Sequence, residues 1–287
     1  MRAIYATDLG PAAQSTQKLL TSLAWPAASM IDVLHVLPLR RSSFFSPTRA
    51  PTDDTLARTR HQLTASTAEI LERLHGRGVT LHSTTRVGDA AHEIVRRAVE
   101  VQADVVIIGT QRRDGVVHLG SVARNLVDRA PCSLLIARTG SVSRILLADD
   151  GSPSADTAAD AIARWPIFSA LPVTVVSVVD LSVPVLAGPH PQFPEPIVYV
   201  EASRGSAADL VDRRVAQLRA PGRLVQGLVR EGAAAAELLH VSQSLRADLL
   251  VLGSSSKAGL TRLLLGSVAR SVVLGSDRSV LIARAGA

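Results

Sequence analysis

The stretch GSSSKAGLTRLLLGSVARSVV, Gly253 to Val273, holds the residues best suited to chemistry. Gly253 closes the apolar run LLVL, and Gly266 and Ser267 follow thirteen and fourteen positions later, where a helical pattern starts. Glycine lets a backbone approach a ligand closely, and a helix start exposes unpaired N–H groups that favour phosphate oxygens. Ser267 adds a hydroxyl donor. Lys257 adds a cation, although the glycine- and serine-rich turn gives it no fixed direction. Neither G-x-x-x-x-G-K-[ST] nor G-x-G-x-x-G occurs. Two readings stay open: a phosphate-binding loop, or small residues that only shape a strand-to-helix turn.

A weaker version lies upstream, in GTQRRDGVVHLGSVARNLV. Gly109 and Gly120 are eleven residues apart, and Arg112 stands where a small residue would allow close approach, yet Gly120–Ser121 still opens a helix. Arg112 and Arg113 can bind an anion, fill the site or face solvent. Asp8 and Asp150 each follow the first apolar run of their half. A carboxylate there can accept a hydrogen bond from a base amino group or a ribose hydroxyl. It can also cap the helix near Pro11 or Pro153. Ligand contact is the expectation for Asp150 and capping for Asp8, while Asp149 is a less certain duplicate that can face elsewhere.

These residues recur because the chain repeats. RAIYATDLG at Arg2–Gly10 resembles RILLADDGS at Arg144–Ser152, and ADVVIIGT at Ala103–Thr110 resembles ADLLVLGS at Ala247–Ser254. GSVARNLV at Gly120–Val127 then matches GSVARSVV at Gly266–Val273, and LLIAR ending at Arg138 matches VLIAR ending at Arg284. Four matches in one order identify a tandem duplication, with domains expected at 1–141 and 142–287. In the first half the pattern predicts strands at Ala3–Thr7, Ile31–Leu37, Val79–Thr85, Val105–Ile108 and Leu134–Ala137. Helices are predicted between them at Ala12–Leu23, Leu56–Leu74, Ala90–Val101 and Val122–Asp128. The second half predicts strands at Ile145–Ala148, Val173–Val179, Leu224–Val229, Leu249–Leu252 and Val280–Ala283. Its helices are expected at Ser154–Arg164, Ser206–Leu218, Ala234–Gln243 and Val268–Leu274. Apolar strands alternating with helices predict α/β architecture: two tandem open parallel five-stranded sheets flanked by helices, Rossmann-like, with strand ends sharing a ligand edge. The long connections Pro38–Asp54 and Ser182–Ser203, with Phe44, Phe45 and Phe193, are either lids or passive excursions.

Composition narrows the rest. Hydrophobic residues make up 47% of the chain and charged residues 20%, which supports packed cores over disorder. The net charge of +6 comes from 31 basic residues scattered among 25 acidic ones, with no basic tail, and this argues against a nucleic-acid surface. No uninterrupted apolar stretch is long enough to cross a membrane, so a soluble cytoplasmic protein without membrane insertion is expected. Cys132 excludes an internal disulfide framework and a multi-cysteine metal site. H-E-x-x-H and G-x-S-x-G are absent, so no catalytic residue and no metal site is assigned.

The chain resembles a tandem universal stress protein, two UspA-type domains, in the ATD and ADDGS segments, ADVVIIGT and ADLLVLGS, both GSVAR helix starts and the closing strands. ATP-binding members of that family carry G-x2-G-x9-G-[ST]. Gly253, Gly266 and Ser267 match it, and Ser256 stands in for the second glycine. The resemblance implies an adenine nucleotide alpha hydrolase-like fold and a stress-response role with ATP, with or without Mg2+, as ligand. It implies Asp150 near adenosine, Val178 near the base, and Gly253, Ser256, Gly266, Ser267 and Val268 around ribose and phosphates. The first-half equivalents are Asp8, Val36, Gly109, Gly120, Ser121 and Val122, where Arg112 and the shorter loop put ATP binding in doubt. It further implies an intramolecular pseudo-dimer and leaves homodimerisation and a protein partner open. The alternatives are a protein-interaction module that holds no nucleotide, and a weak ATPase or phosphotransferase.

Overall fold

The computed structural model describes residues 1–10, 13–39, 50–113, 116–180, 196–254 and 265–285. Two compact units divide them, one built mainly on Met1–Ser141 and the other mainly on Val142–Ala283. The first unit runs β1 (Arg2–Ala6), α1 (Ala13–Ser22), β2 (Met30–Leu37), α2 (Asp53–Arg73), β3 (Thr80–Val87), α3 (Ala90–Glu100) and β4 (Val105–Gly109). A short hairpin follows, β5 (Gln111–Arg113) with β6 (Val116–His118), then α4 (Ser121–Arg129) and β7 (Ser133–Ala137). Its five long strands pair in parallel in the order β7-β4-β1-β2-β3. From β1 the chain winds outward to β2 and β3, then crosses back to β4 on the other side of β1. That reversal makes the ends of β1 and β4 the switch point, where a crevice opens in sheets of this kind.

The apolar runs become strands because both faces are covered. Ile4, Ile31, Val33, Leu34, Val106, Ile107, Leu134 and Ile136 are buried. Contacts pair α1 with α2 and α3 with α4 against the sheet. Helix starts carry the expected signals. The Thr52 hydroxyl accepts from the Thr55 N–H at 3.3 Å ahead of α2, and Asp53 and Asp54 complement the dipole of its first turn. Asp89 accepts from the His92 N–H at 2.8 Å ahead of α3.

The second unit repeats the plan with β8 (Ile145–Ala148), α5 (Pro153–Arg164), β9 (Val173–Val179), α6 (Pro196–Leu218), β10 (Val225–Glu231), α7 (Ala234–Ser244), β11 (Leu249–Gly253), α8 (Ser267–Gly275) and β12 (Ser279–Ala283). Strand order is β10-β9-β8-β11-β12, the same as in the first unit. The predicted strands and helices appear in order, with two corrections. α6 begins at Pro196, so the end of the expected Ser182–Ser203 connection is helical. The segment between Gly109 and Gly120 contains the β5–β6 hairpin where only a turn was expected. The remaining expectations for the long connections, including Phe44, Phe45 and Phe193, lie outside the described residues. Among the described residues no helix is long and apolar enough to cross a membrane.

Cys132 is buried just before β7, and that burial, reinforced by the Asp104 charge, pushes its thiol up to about 12. The native protein is therefore expected to resist a thiol reagent at pH 8 and to react on unfolding in guanidinium. The sign of the linkage is fixed: below pH 9.0, the ordinary value, neither state ionises and stability is unaffected. Between there and about 12 the unfolded thiol ionises first, so stability falls as pH rises. Fast alkylation of the folded chain contradicts the burial.

Candidate functional site

Parallel pairing brings the C-terminal ends of β1, β2 and β4 to one edge. In the first unit, this edge and the start of α4 enclose a cleft of about 790 Å³. Asp8, Val36, Gly109, Gly120, Ser121 and Val122 all line it, so the structure brings together the whole set anticipated for the first half. Thr7 continues β1 by one residue, its N–H donating to the Leu34 carbonyl at 2.9 Å. The Thr7 hydroxyl accepts from the Leu9 N–H at 3.0 Å, and Asp8 Oδ1 accepts from the Gly10 N–H at 2.9 Å. Asp8 thus shapes the turn ahead of α1 while remaining exposed on the cleft wall. Leu9 takes φ 57°, a left-handed conformation that costs about 1–2 kcal/mol in a residue with a side chain.

Gly120 is the N-cap of α4 and offers no side chain to the N–H groups of the first turn. Those donors and the positive end of the helix dipole face a site where an anion is stabilised. Tyr5 lines the same cleft, and its hydroxyl donates to the Ala13 carbonyl at 3.3 Å. Burial pushes that hydroxyl up to about 12, so it stays neutral. Ala90 and Ile94 of α3 give the cleft an apolar side. The combination is that of a small-molecule site: a mainly apolar concavity, within roughly 300–1,000 Å³, with a few convergent polar groups.

The second unit is built from equivalent parts but has a much smaller pocket. Asp150, Val178, Gly253, Gly266 and Val268 line a pocket of only about 110 Å³. Ser267 opens α8 without lining that pocket. Ser256, like Lys257, lies outside the described residues. A Cβ built on Gly253 meets the Ser154 backbone carbon and oxygen at 2.4 Å each, so α5 begins directly against the end of β11. Gly253 is therefore needed for backbone packing, whatever it does for a ligand.

The turn after β8 is locked from behind. Asp149 is buried, and its Oδ2 meets Arg214 Nε of α6 at 2.5 Å. Arg214 also binds Asp156, and its Nη1 donates to Gln217 Oε1 at 2.7 Å. Asp149 Oδ1 accepts from the Gly151 N–H at 2.9 Å, and Asp150 Oδ1 from the Ser152 N–H at 3.0 Å. Capping α5 falls to Ser152, whose hydroxyl accepts from the Ala155 N–H at 3.2 Å. The two aspartates thus divide the work, Asp149 turning inward to Arg214 and Asp150 staying at the edge.

Three features were not drawn from the sequence. His35, next to Val36 at the end of β2, lines the first cleft, and its place beside a ligand-edge valine was the available signal. The hairpin had a signal too, Asp114-Gly115 between the runs QRR and VVH, a favoured two-residue connection. Arg214 had none, since it sits 65 residues from its buried partner.

The fold and its edges define a tandem open α/β protein with a switch-point cleft in each unit. The chain belongs to the universal stress protein family, whose profile matches residues 1–138 and again 141–284. A universal stress protein of Mycobacterium tuberculosis is 29% identical over 196 residues, 64% of this chain and 62% of the relative. One from Methanothermobacter thermautotrophicus is 40% identical over 62 residues, 21% of this chain and 42% of the relative. Each of these matches spans less than two thirds of the relative's own length. Among solved structures, a universal stress protein from Archaeoglobus fulgidus superposes with a TM-score of 0.67 at 16% identity, covering 99% of this chain and 98% of the other. A functionally unknown protein from Pseudomonas aeruginosa PAO1 follows at TM-score 0.62 and 14% identity, with coverage of 98% and 92%. At such identities the likeness is one of fold.

Proposed function

We propose that this chain is a nucleotide-responsive stress protein that binds ATP in the cleft of its first unit. The observation carrying the proposal is that cleft, about 790 Å³, with Asp8 on one wall and the uncapped start of α4 on the other. Its size fits a nucleotide, whereas the second pocket, at about 110 Å³, does not as it stands. Asp8 supplies an acceptor for an amino or ribose hydroxyl group. Gly120, Ser121 and the first-turn N–H groups supply donors for phosphate oxygens. Mg2+ accompanying the triphosphate neutralises part of its charge. Binding selects the conformation in which both walls engage the ligand, and this shifts a pre-existing population rather than creating a new state.

A second reading places nucleotide in the second unit, on the strength of the Gly253, Ser256, Gly266 and Ser267 spacing. It requires the second pocket to be larger than about 110 Å³ when occupied. One pair of variants separates the two. A Cβ on Gly120 meets nothing within 4 Å, and its φ of −61° suits any residue, so Gly120→Asp is sterically free. The new carboxylate caps α4 itself and repels phosphate. Calorimetric ATP affinity is expected to fall about tenfold or more, with thermal stability unchanged or slightly raised. Gly266→Asp applies the same change to α8, and loss of binding there instead favours the second reading. If folded wild-type protein gives no ATP binding, the nucleotide reading fails and a protein-interaction module takes its place.

A further inference from the structure

His35 is an imidazole in the wall of the first cleft, and no described residue lining the second pocket is a histidine. β1 and β2 pair Ala6 with Leu34, while β8 and β9 pair Ala148 with Val176, so the residue equivalent to His35 is Ser177. His35 Nδ1 lies 2.8 Å from the Thr7 carbonyl oxygen. A carbonyl only accepts, so Nδ1 carries hydrogen in every protonation state, and Nε2 is the nitrogen that gains or loses a proton. The same bond ties the end of β2 to the residue before Asp8. His35 thus does two things: its Nδ1–H pins the Asp8 turn at any pH, and its Nε2 decides whether the cleft wall carries a positive charge.

Among the described residues each neighbouring element brings its own charges, exposed His82 of β3 and exposed Asp89, His92 and Arg96 at α3 included. From β1 come Tyr5, kept neutral by burial, and Asp8 beyond the strand end. β3 sets Thr85 beside His35 and Arg86 beside Val36, and Arg86 is bound to Glu93 and Glu100. α3 brings Arg97, which pairs with the buried Asp32 of β2 and with Glu100. α2 carries Asp53, Asp54, Arg58, Arg60 and His61 near its start, all exposed. α1 has only exposed Lys18, and α4 has Arg124, Asp128 and Arg129 beyond the cleft-lining turn. β4 contributes no titratable side chain. Of these groups only Tyr5, Asp8 and His35 line the cleft, and of the three side-chain types imidazole is the one whose ordinary range spans pH 6 to 8.

We propose that His35 is the positioning and specificity residue that couples polyphosphate binding in the first cleft to proton uptake. This rests on the nucleotide assignment to that cleft. The test uses full-length chain carrying Gly266→Asp, so that only the first cleft reports, with ATP titrated calorimetrically at pH 6 and pH 8. Adenosine serves as the uncharged control. His35→Asn can keep an N–H donor toward Thr7 without a titrating nitrogen, and comparison with it cancels the titration of ATP itself. ATP affinity is expected to rise about three- to tenfold from pH 8 to pH 6 beyond the change seen with His35→Asn. Adenosine should show no such difference. His35→Leu, lacking both the donor and the charge, should weaken both ligands at either pH.

An equal pH response with histidine and asparagine overturns the proposal while leaving nucleotide binding intact. So does a His35-dependent pH response for adenosine as large as that for ATP. Absence of ATP binding at both pH values overturns the assignment of nucleotide to this cleft, and the His35 proposal falls with it.

Discussion

Asp149→Asn is expected to lower stability by about 3–5 kcal/mol, because it leaves the buried Arg214 guanidinium without its buried counter-charge. Burial alone lowers the proton affinity of that guanidinium, but its hydrogen bonds to Asp149 and Asp156 outweigh it and hold the group above its ordinary range. Asp156 cannot replace the lost partner, since its side chain is 63% exposed and an ion pair there is screened by water. Urea unfolding monitored by circular dichroism measures the loss. Arg214→Met removes the cation as well, and the double variant should be more stable than Asp149→Asn alone, because no charge is then left buried and unpaired. A loss below about 1 kcal/mol for Asp149→Asn contradicts a closed, desolvated pair. The consequence reaches the site, because Asp149 Oδ1 also holds the Gly151 N–H and so fixes the turn that carries Asp150.

Gly253→Ala is the second large effect. The added methyl would stand 2.4 Å from the Ser154 carbonyl carbon and oxygen and 2.7 Å from its Cβ. These contacts are mainly with backbone at the start of a twelve-residue helix, which no rotamer change can relieve. Overpacking of this kind costs about 1–3 kcal/mol, toward the upper end where backbone must shift. Denaturant unfolding should register that loss. Calorimetry should find ATP binding in the first cleft unchanged, because Gly253 belongs to the other unit. A neutral substitution would mean that α5 does not seat against β11.

Both predictions turn on contacts of different sequence legibility. The repeat, the order of strands and helices, and the gathering of Asp8, Val36, Gly109 and Gly120 at one edge follow from local signals. Apolar runs such as VVII and LLVL must be covered on both faces, and parallel pairing then fixes which ends meet. The β5–β6 hairpin was within reach of the same reasoning, since Asp114-Gly115 is a connector that favours close strand return. The role of Asp149 was out of reach, because nothing in ADDGS says which aspartate turns inward.

By itself the sequence determined that this protein is two copies of one α/β unit and which residues stand at each ligand edge. Those facts depend on periodicity and on the order of elements, which neighbouring residues encode. Only the tertiary structure decided how unequal the two edges are. The second half has the fuller glycine spacing, yet its pocket holds only about 110 Å³, with α5 seated on Gly253 and Arg214 fixing the turn behind Asp150. The first half has the poorer spacing and keeps about 790 Å³, with His35 in its wall. The volume of a cleft depends on how elements distant in sequence seat against one another. Contacts of that kind, such as Asp149–Arg214 and Gly253–Ser154, join residues that lie far apart in the chain.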